Sequence, residues 1–186
     1  MESRIHSSRV LSLPERFDSV EALEEFMSRP STALRDELVR VSGDFMVLGV
    51  GGKMGPTLAR LAKRAAPAKC VIGVARFSEA GLREKLESWG VECIACDLLQ
   101  PAAVAALPKT ENIIFMAGHK FGSASNPTLT WAINVGVPYT VADVFRHSRI
   151  VAFSTACVYP YVDTAGPGAN EQVPAEPPAG AYTNSC

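Results

Sequence analysis

Asp44 to Gly55 reads Asp-Phe-Met-Val-Leu-Gly-Val-Gly-Gly-Lys-Met-Gly, and this string narrows the fold more than any other part of the chain. Phe45 to Leu48 is an apolar run of the length of a buried strand. Glycines follow at 49, 51, 52 and 55. After them the apolar positions Met54, Leu58, Leu61, Ala62 and Ala65 take helical spacing. A strand, a glycine turn and a helix in that order open a doubly wound α/β domain that binds a nucleotide. Each glycine has a separate job. Gly49 permits the sharp turn off the strand, Gly52 removes a Cβ from the path of a pyrophosphate, and Gly55 lets the helix lie close to the strand. Gly51 completes the turn, and the free N–H groups around Lys53 and Met54, at the positive end of the helix, are set to hold phosphates.

The following segments alternate strand and helix, which implies a parallel sheet. Strands are expected at Cys70–Ala75, Val91–Cys96, Asn112–Met116 and Ile150–Ser154. Helices are expected from a Ser78 cap to Gly90, over Ala102–Leu107, and over Trp131–Phe145, where Pro138 either kinks the helix or marks its true start. Val162 to Gly180 is rich in Pro, Gly and Ala and reads as an irregular loop. Before the first strand, Asp18-Ser19 can cap a short helix that Arg29-Pro30 stops, and Ser31-Thr32 opens a second. The first carries Val20, Leu23, Phe26 and Met27 on one face, and the second turns Leu34 and Leu38 inward. We therefore expect a helical extension over 1–42, packed on the main domain or on a partner subunit. A Rossmann-like α/β domain, a doubly wound parallel sheet, follows over 43–186.

Charge and cysteine usage exclude other classes. The formal net charge of −1 offers no basic excess for nucleic acid, and no apolar run is long enough for a membrane span. The N-terminus lacks the apolar core of a signal peptide, so a soluble cytoplasmic protein is expected. Cys93 and Cys96 have C-x-x-C spacing, but on a strand they point to opposite faces, which argues against a metal site or a disulfide. They and Cys70 read as small buried hydrophobes.

Three further positions bear on the ligand. The end of the second strand, Ala75-Arg76-Phe77, has no carboxylate before Glu79, and an arginine there suits a 2′-phosphate. With Lys53 as a second cation, NADP is favoured over NAD, although Arg76 also fits a solvated strand end. Asp97-Leu98 follows the third strand, where Asp97 can accept from an adenine amino group or cap the turn before Pro101. Ala117-Gly118 after the fourth strand are small where a cofactor needs room.

Taken in order, these pieces resemble the extended short-chain dehydrogenase/reductase family, the nucleotide-sugar epimerases and dehydratases. The series continues with Asn134-Val-Gly, Phe153-Ser-Thr-Ala-Cys-Val-Tyr, Asn170-Glu171 with Pro174 and Pro177, and Tyr182. The resemblance implies that Tyr182 is the acid/base on a substrate hydroxyl or carbonyl while hydride moves to or from the nicotinamide. It implies that Thr155 holds the same oxygen and that Asn134 supports the site. It also implies a sugar-like substrate and suggests a homodimer. A free phenol keeps its proton to about pH 10, so such a tyrosine needs help near neutrality. The family supplies it with a lysine four residues on, where this chain has Cys186. A thiol is too short to reach the nicotinamide ribose and carries no positive charge. We therefore expect a piece of a longer protein that does not turn over substrate by itself. A non-catalytic dinucleotide-binding or sensing module is the alternative.

Overall fold

The computed structural model describes residues 13–186. Its centre is a sheet of five parallel strands: β1 (Phe45–Leu48), β2 (Val71–Ala75), β3 (Glu92–Ala95), β4 (Asn112–Phe115) and β5 (Arg149–Ala152). Their spatial order is β3-β2-β1-β4-β5. The chain thus winds outward from β1 to β3, returns to β4 beside β1, and winds outward again. The crevice above the carboxyl ends of β1 and β4 is where open α/β sheets of this order bind ligands.

Strand periodicity builds two cores from one strand. Phe45 and Val47 point to one face with Val71, and Met46 and Leu48 to the other with Ile72 and Val74. All four β1 residues are buried, as expected where helices cover both faces. α3 (Gly55–Ala65) and α4 (Leu82–Ser88) cover the first face. α5 (Pro101–Ala105) and α7 (Val137–Val144) cover the second, with Val137, Val141 and Phe145 buried at four-residue spacing. Cys93 packs on the first core and Cys96 in the second, so the C-x-x-C pair does straddle the strand. Cys70 and Cys93 are half-buried rather than buried.

Several expectations need correction. The buried face of α3 is Thr57, Ala59 and the expected Ala62 and Ala65; Leu58 packs on the same core but is only partly buried, and Leu61 is not part of it. The helix lies so close to the turn after β1 that only small residues fit beneath it. Ser78 does not cap α4, which starts at Leu82 behind Gly81 at φ +79°. Pro138 does stand at the start of an α-helix, as the second residue of α7, but the helical run does not begin there. α6 (Pro127–Trp131) passes through a π-turn at Ala132–Gly136 directly into α7. The wider turn, closed by Val137 N donating to Ala132 O, accommodates a residue that cannot continue the ordinary helical ladder.

The largest correction concerns α1 (Val20–Met27), which precedes α2 (Thr32–Arg40). Ser19 and Ser31 cap the two helices as expected, each accepting a backbone N–H at 3.1 Å. Yet Val20, Leu23 and Met27 are exposed, and the polar edge of α1 faces the domain. Glu25 binds Arg60 and Arg64, each at 2.8 Å, and Arg64 also donates to the buried Ser28 hydroxyl at 3.1 Å. The cations on α3 and α4 decide which side turns in. Among the described residues, no helix is long and apolar enough to cross a membrane.

Candidate functional site

The glycine loop is shaped by what surrounds it. Gly49 sits at φ +90°, in the left-handed region, and folds the chain over the end of β2. The N–H groups of Gly49 and Val50 both donate to Val74 O, at 2.9 and 3.1 Å. A Cβ on Gly49 would stand 2.7 Å from the Ala117 nitrogen, and one on Gly55 would overlap the Val50 carbonyl oxygen. Gly55 therefore permits close packing on the turn itself, not on the strand. At Gly52 the nearest obstacle to a Cβ is Gly49 O at 3.6 Å, so that position faces open space. Among the described residues, no protein oxygen accepts the N–H of Lys53 or Met54. Open space beside free backbone donors at the start of an eleven-residue helix fits a phosphate group.

This loop forms one wall of a cleft of about 300 Å³ at the carboxyl edge of the sheet. Gly49, Gly51, Gly52, Arg76, Asp97, Leu98, Ala117 and Gly118 all line it. Lys53 does not; it lines a neighbouring cavity. Met54 is exposed, and Gly55 is buried beneath the turn. Asp97 accepts the Leu99 N–H at 3.1 Å, closing the turn before Pro101 with one carboxylate oxygen while it lines the cleft.

Two lining residues gave no motif. Phe77, directly after Arg76, has φ +49°, a conformation that bulky residues rarely hold. Ser78 faces the cleft instead of capping a helix. Only the observed backbone reveals either.

The remaining residues lie on the β4–β5 side. Asn134 lies in the π-turn and ties together three pieces of chain. Its Oδ1 accepts the His119 N–H at 2.8 Å, and its Nδ2 donates to His119 O at 3.1 Å and to Ser185 Oγ at 2.9 Å. Ser185 Oγ in turn donates to Tyr182 O at 2.9 Å, within α8 (Ala181–Ser185). Thr155 caps the 3₁₀ turn Ala156–Val158, its Oγ1 accepting the Cys157 N–H at 3.3 Å. α8 packs against both that 3₁₀ turn and the π-turn. Sequence spacing gave no hint of Lys120, whose Nζ stands 5.6 Å from the Tyr182 ring centroid. That contact joins segments more than sixty residues apart and has no local signature.

The model of the NAD dependent epimerase/dehydratase family matches residues 45–185. The chain belongs to that family. A comparison of sequence with the curated proteins gives no match. Among solved structures, the chain is similar to ADP-L-glycero-D-manno-heptose-6-epimerase from Helicobacter pylori. Identity is 20% and TM-score 0.65, over 77% of this chain and 48% of that one. UDP-glucose-4-epimerase from Stenotrophomonas maltophila, with bound NAD and formylated UDP-arabinopyranose, gives 18% identity and TM-score 0.64, over 77% and 45%. UDP-glucuronic acid 4-epimerase from Bacillus cereus, in complex with UDP-glucuronic acid and NAD, gives 16% and 0.59, over 76% and 48%. At these identities the likeness is one of fold. The chain spans under half the length of these relatives.

Proposed function

We propose that this chain is the NAD(P)-binding part of an oxidoreductase or epimerase/dehydratase acting on a sugar- or polyol-like substrate. The observation that carries the reading is the cleft above β1 and β4. There the open Gly52, Arg76, Asp97 and the small Ala117-Gly118 line one space, and the free N–H groups of Lys53 and Met54 follow Gly52 at the start of α3. In this reading the start of α3 holds the pyrophosphate, Arg76 and Asp97 face the adenosine, and Ala117-Gly118 give room for the nicotinamide side. Arg76 and Lys53 favour NADP over NAD. A nicotinamide held there would supply hydride transfer; the steps below concern the chain's own side chains.

Tyr182 would pass a proton to or from the substrate oxygen, and Thr155 would hold that oxygen by a hydrogen bond. Asn134 is a positioning residue, keeping α8 against the loop after β4. Cys186 brings no charge to a phenolate formed at Tyr182. Lys120 does, from beside the ring, and so takes over part of what the family's lysine supplies. A second reading, a dinucleotide-binding module without catalysis, is favoured by Cys186 alone.

Calorimetric titration with NADP and NAD tests the core of the proposal. Binding is expected, NADP more tightly, and Gly52→Asp should abolish it by placing a carboxylate in the phosphate's space. Equal binding by Gly52→Asp and the unaltered chain would overturn the assignment of the glycine loop.

A further inference from the structure

Beside the dinucleotide cleft lies a second cavity, also of about 300 Å³, to which the N-terminal extension contributes. Its charged walls are Glu24 from α1, Lys53 from the glycine loop, Glu79, and Lys85 from α4. It shares Gly51, Gly52, Glu79 and Leu82 with the first cleft. Gly51 is the pivot between them. A Cβ there would come within 3.2 Å of the Ala75 Cβ, so the loop stands against the end of β2, where the adenosine ribose is expected. Because Gly51 and Gly52 line both spaces, a group bound against them in the first cleft borders the second cavity.

Glu24 and Lys85 form an ion pair at 2.7 Å, with the Glu24 side chain only 17% exposed. Lys85 Nζ also lies 5.2 Å from the Trp89 ring centroid. Two carboxylates thus face two ammonium groups, and the cation nearest α1 already has a counter-ion.

We propose that Lys85, together with Lys53, receives the 2′-phosphate of NADP in this cavity, and that Glu24 sets how strongly NADP is preferred. The inference rests on the dinucleotide reading above and adds to it a selectivity element outside the β2 end. Glu24 competes with the phosphate for Lys85 and repels it. The N-terminal helix is then a weight on cofactor choice, although it stands outside the sheet. NAD has a hydroxyl where NADP has the phosphate, so it is blind to this competition. Glu24 can lose its charge without freeing α1, because Glu25 keeps Arg60 and Arg64.

The test is a titration of the 186-residue chain, Glu24→Gln and Lys85→Gln with NADP and with NAD. Glu24→Gln should tighten NADP by roughly threefold to tenfold, and Lys85→Gln should weaken it by a similar factor. NAD should be unchanged in both. NADP and NAD moving together, or an unchanged ratio, would overturn the proposal and leave the dinucleotide reading standing. If neither dinucleotide binds the unaltered chain, both fall together. A second measurement needs no change at Glu24. In Trp131→Phe, Trp89 is the only tryptophan left. Adenosine 2′,5′-bisphosphate should then alter Trp89 emission more than adenosine 5′-monophosphate does, because Lys85 lies beside that ring. Equal responses would count against a phosphate on Lys85.

Discussion

The two sides of the sheet are built to different standards. On the β1–β2 side Met46, Val47 and Leu48 have no exposed surface, and helices from the chain itself close both faces. On the other side every residue of β5 is exposed, Val151 to 61% and the following Phe153 to 45%. Thr155 and Tyr182 stand on this second side, held by one five-residue helix, a 3₁₀ turn and the Asn134 hydrogen bonds. The cleft therefore has its shape fixed by a packed core, while the residues proposed for proton transfer depend on a few local contacts. The proposed binding and proton-transfer regions are thus held by different contacts, and each can be perturbed without the other.

The sharpest way to break that comparison is to disturb one residue on each side. Gly49→Val puts a branched side chain at φ +90° and 2.7 Å from the Ala117 nitrogen. The expected loss of stability is about 3 kcal/mol or more, with dinucleotide binding lost too. Val151→Thr on the exposed edge should stay within about 0.5 kcal/mol. Urea unfolding of both variants checks the pair, and similar losses would mean that the two sides are equally packed.

A smaller, local effect is expected at Asn134. Removing its amide leaves the His119 N–H and Ser185 Oγ without their partner, a loss of about 1–3 kcal/mol concentrated in α8. Hydrogen exchange should show the Asn184 and Cys186 amides, which bond Gly180 O and Tyr182 O, losing protection in Asn134→Ala. The amides of β1 should keep theirs. Unchanged protection in α8 would show that something other than Asn134 holds it.

What could be read from the sequence follows the range of the interactions. The glycine turn, the caps before α1 and α2, the alternation of strand and helix and the opposite facing of Cys93 and Cys96 depend on neighbours a few residues apart. All of these were legible. The inward face of α1 was not, because Arg60, Arg64 and Lys85 decide it from other helices. Nor were Thr57 and Ala59 beneath α3, the π-turn that accommodates Pro138, or Lys120 over Tyr182. For the candidate site, the motifs named eight of the eighteen residues lining the cleft, and Lys53 and Met54, named with them, do not line it. Phe77 at φ +49° had no sequence signal at all.

Acid should loosen the extension before the sheet. The Arg64 hydrogen bond, with Arg60 and Arg29 nearby, holds the Glu25 carboxyl below the usual carboxylate range. A depressed carboxylate contributes stability above its unfolded pKa and loses it as pH falls through the folded value. Docking of α1 should thus be constant near neutrality and weaken only below about pH 4. Limited proteolysis between α1 and β1 across that range would follow it. Arg64→Ala should shift the onset upward, and an onset unmoved by that change would remove Glu25 from the account.

The smallest perturbation leaves stability alone and compares how closed the two sides are to solvent. Burial pushes the Cys70 thiol up to about 11, helped by nearby Glu92, and burial with Glu87 does the same for Cys93. At pH 8 only about one in a thousand of either is the reactive thiolate. Cys186, directly after α8, is exposed to reagent, whereas Cys70 and Cys93 are half-buried. Brief alkylation with iodoacetamide at pH 8 should therefore label Cys186 faster than Cys70 or Cys93 by about a hundredfold, read by peptide mass spectrometry. Bound dinucleotide should not change the Cys70 and Cys93 rates, since neither thiol lines the cleft. Labelling of Cys70 or Cys93 at the Cys186 rate would mean that the β1–β2 side opens as readily as the edge that carries Tyr182. The preformed cleft would then lose its support.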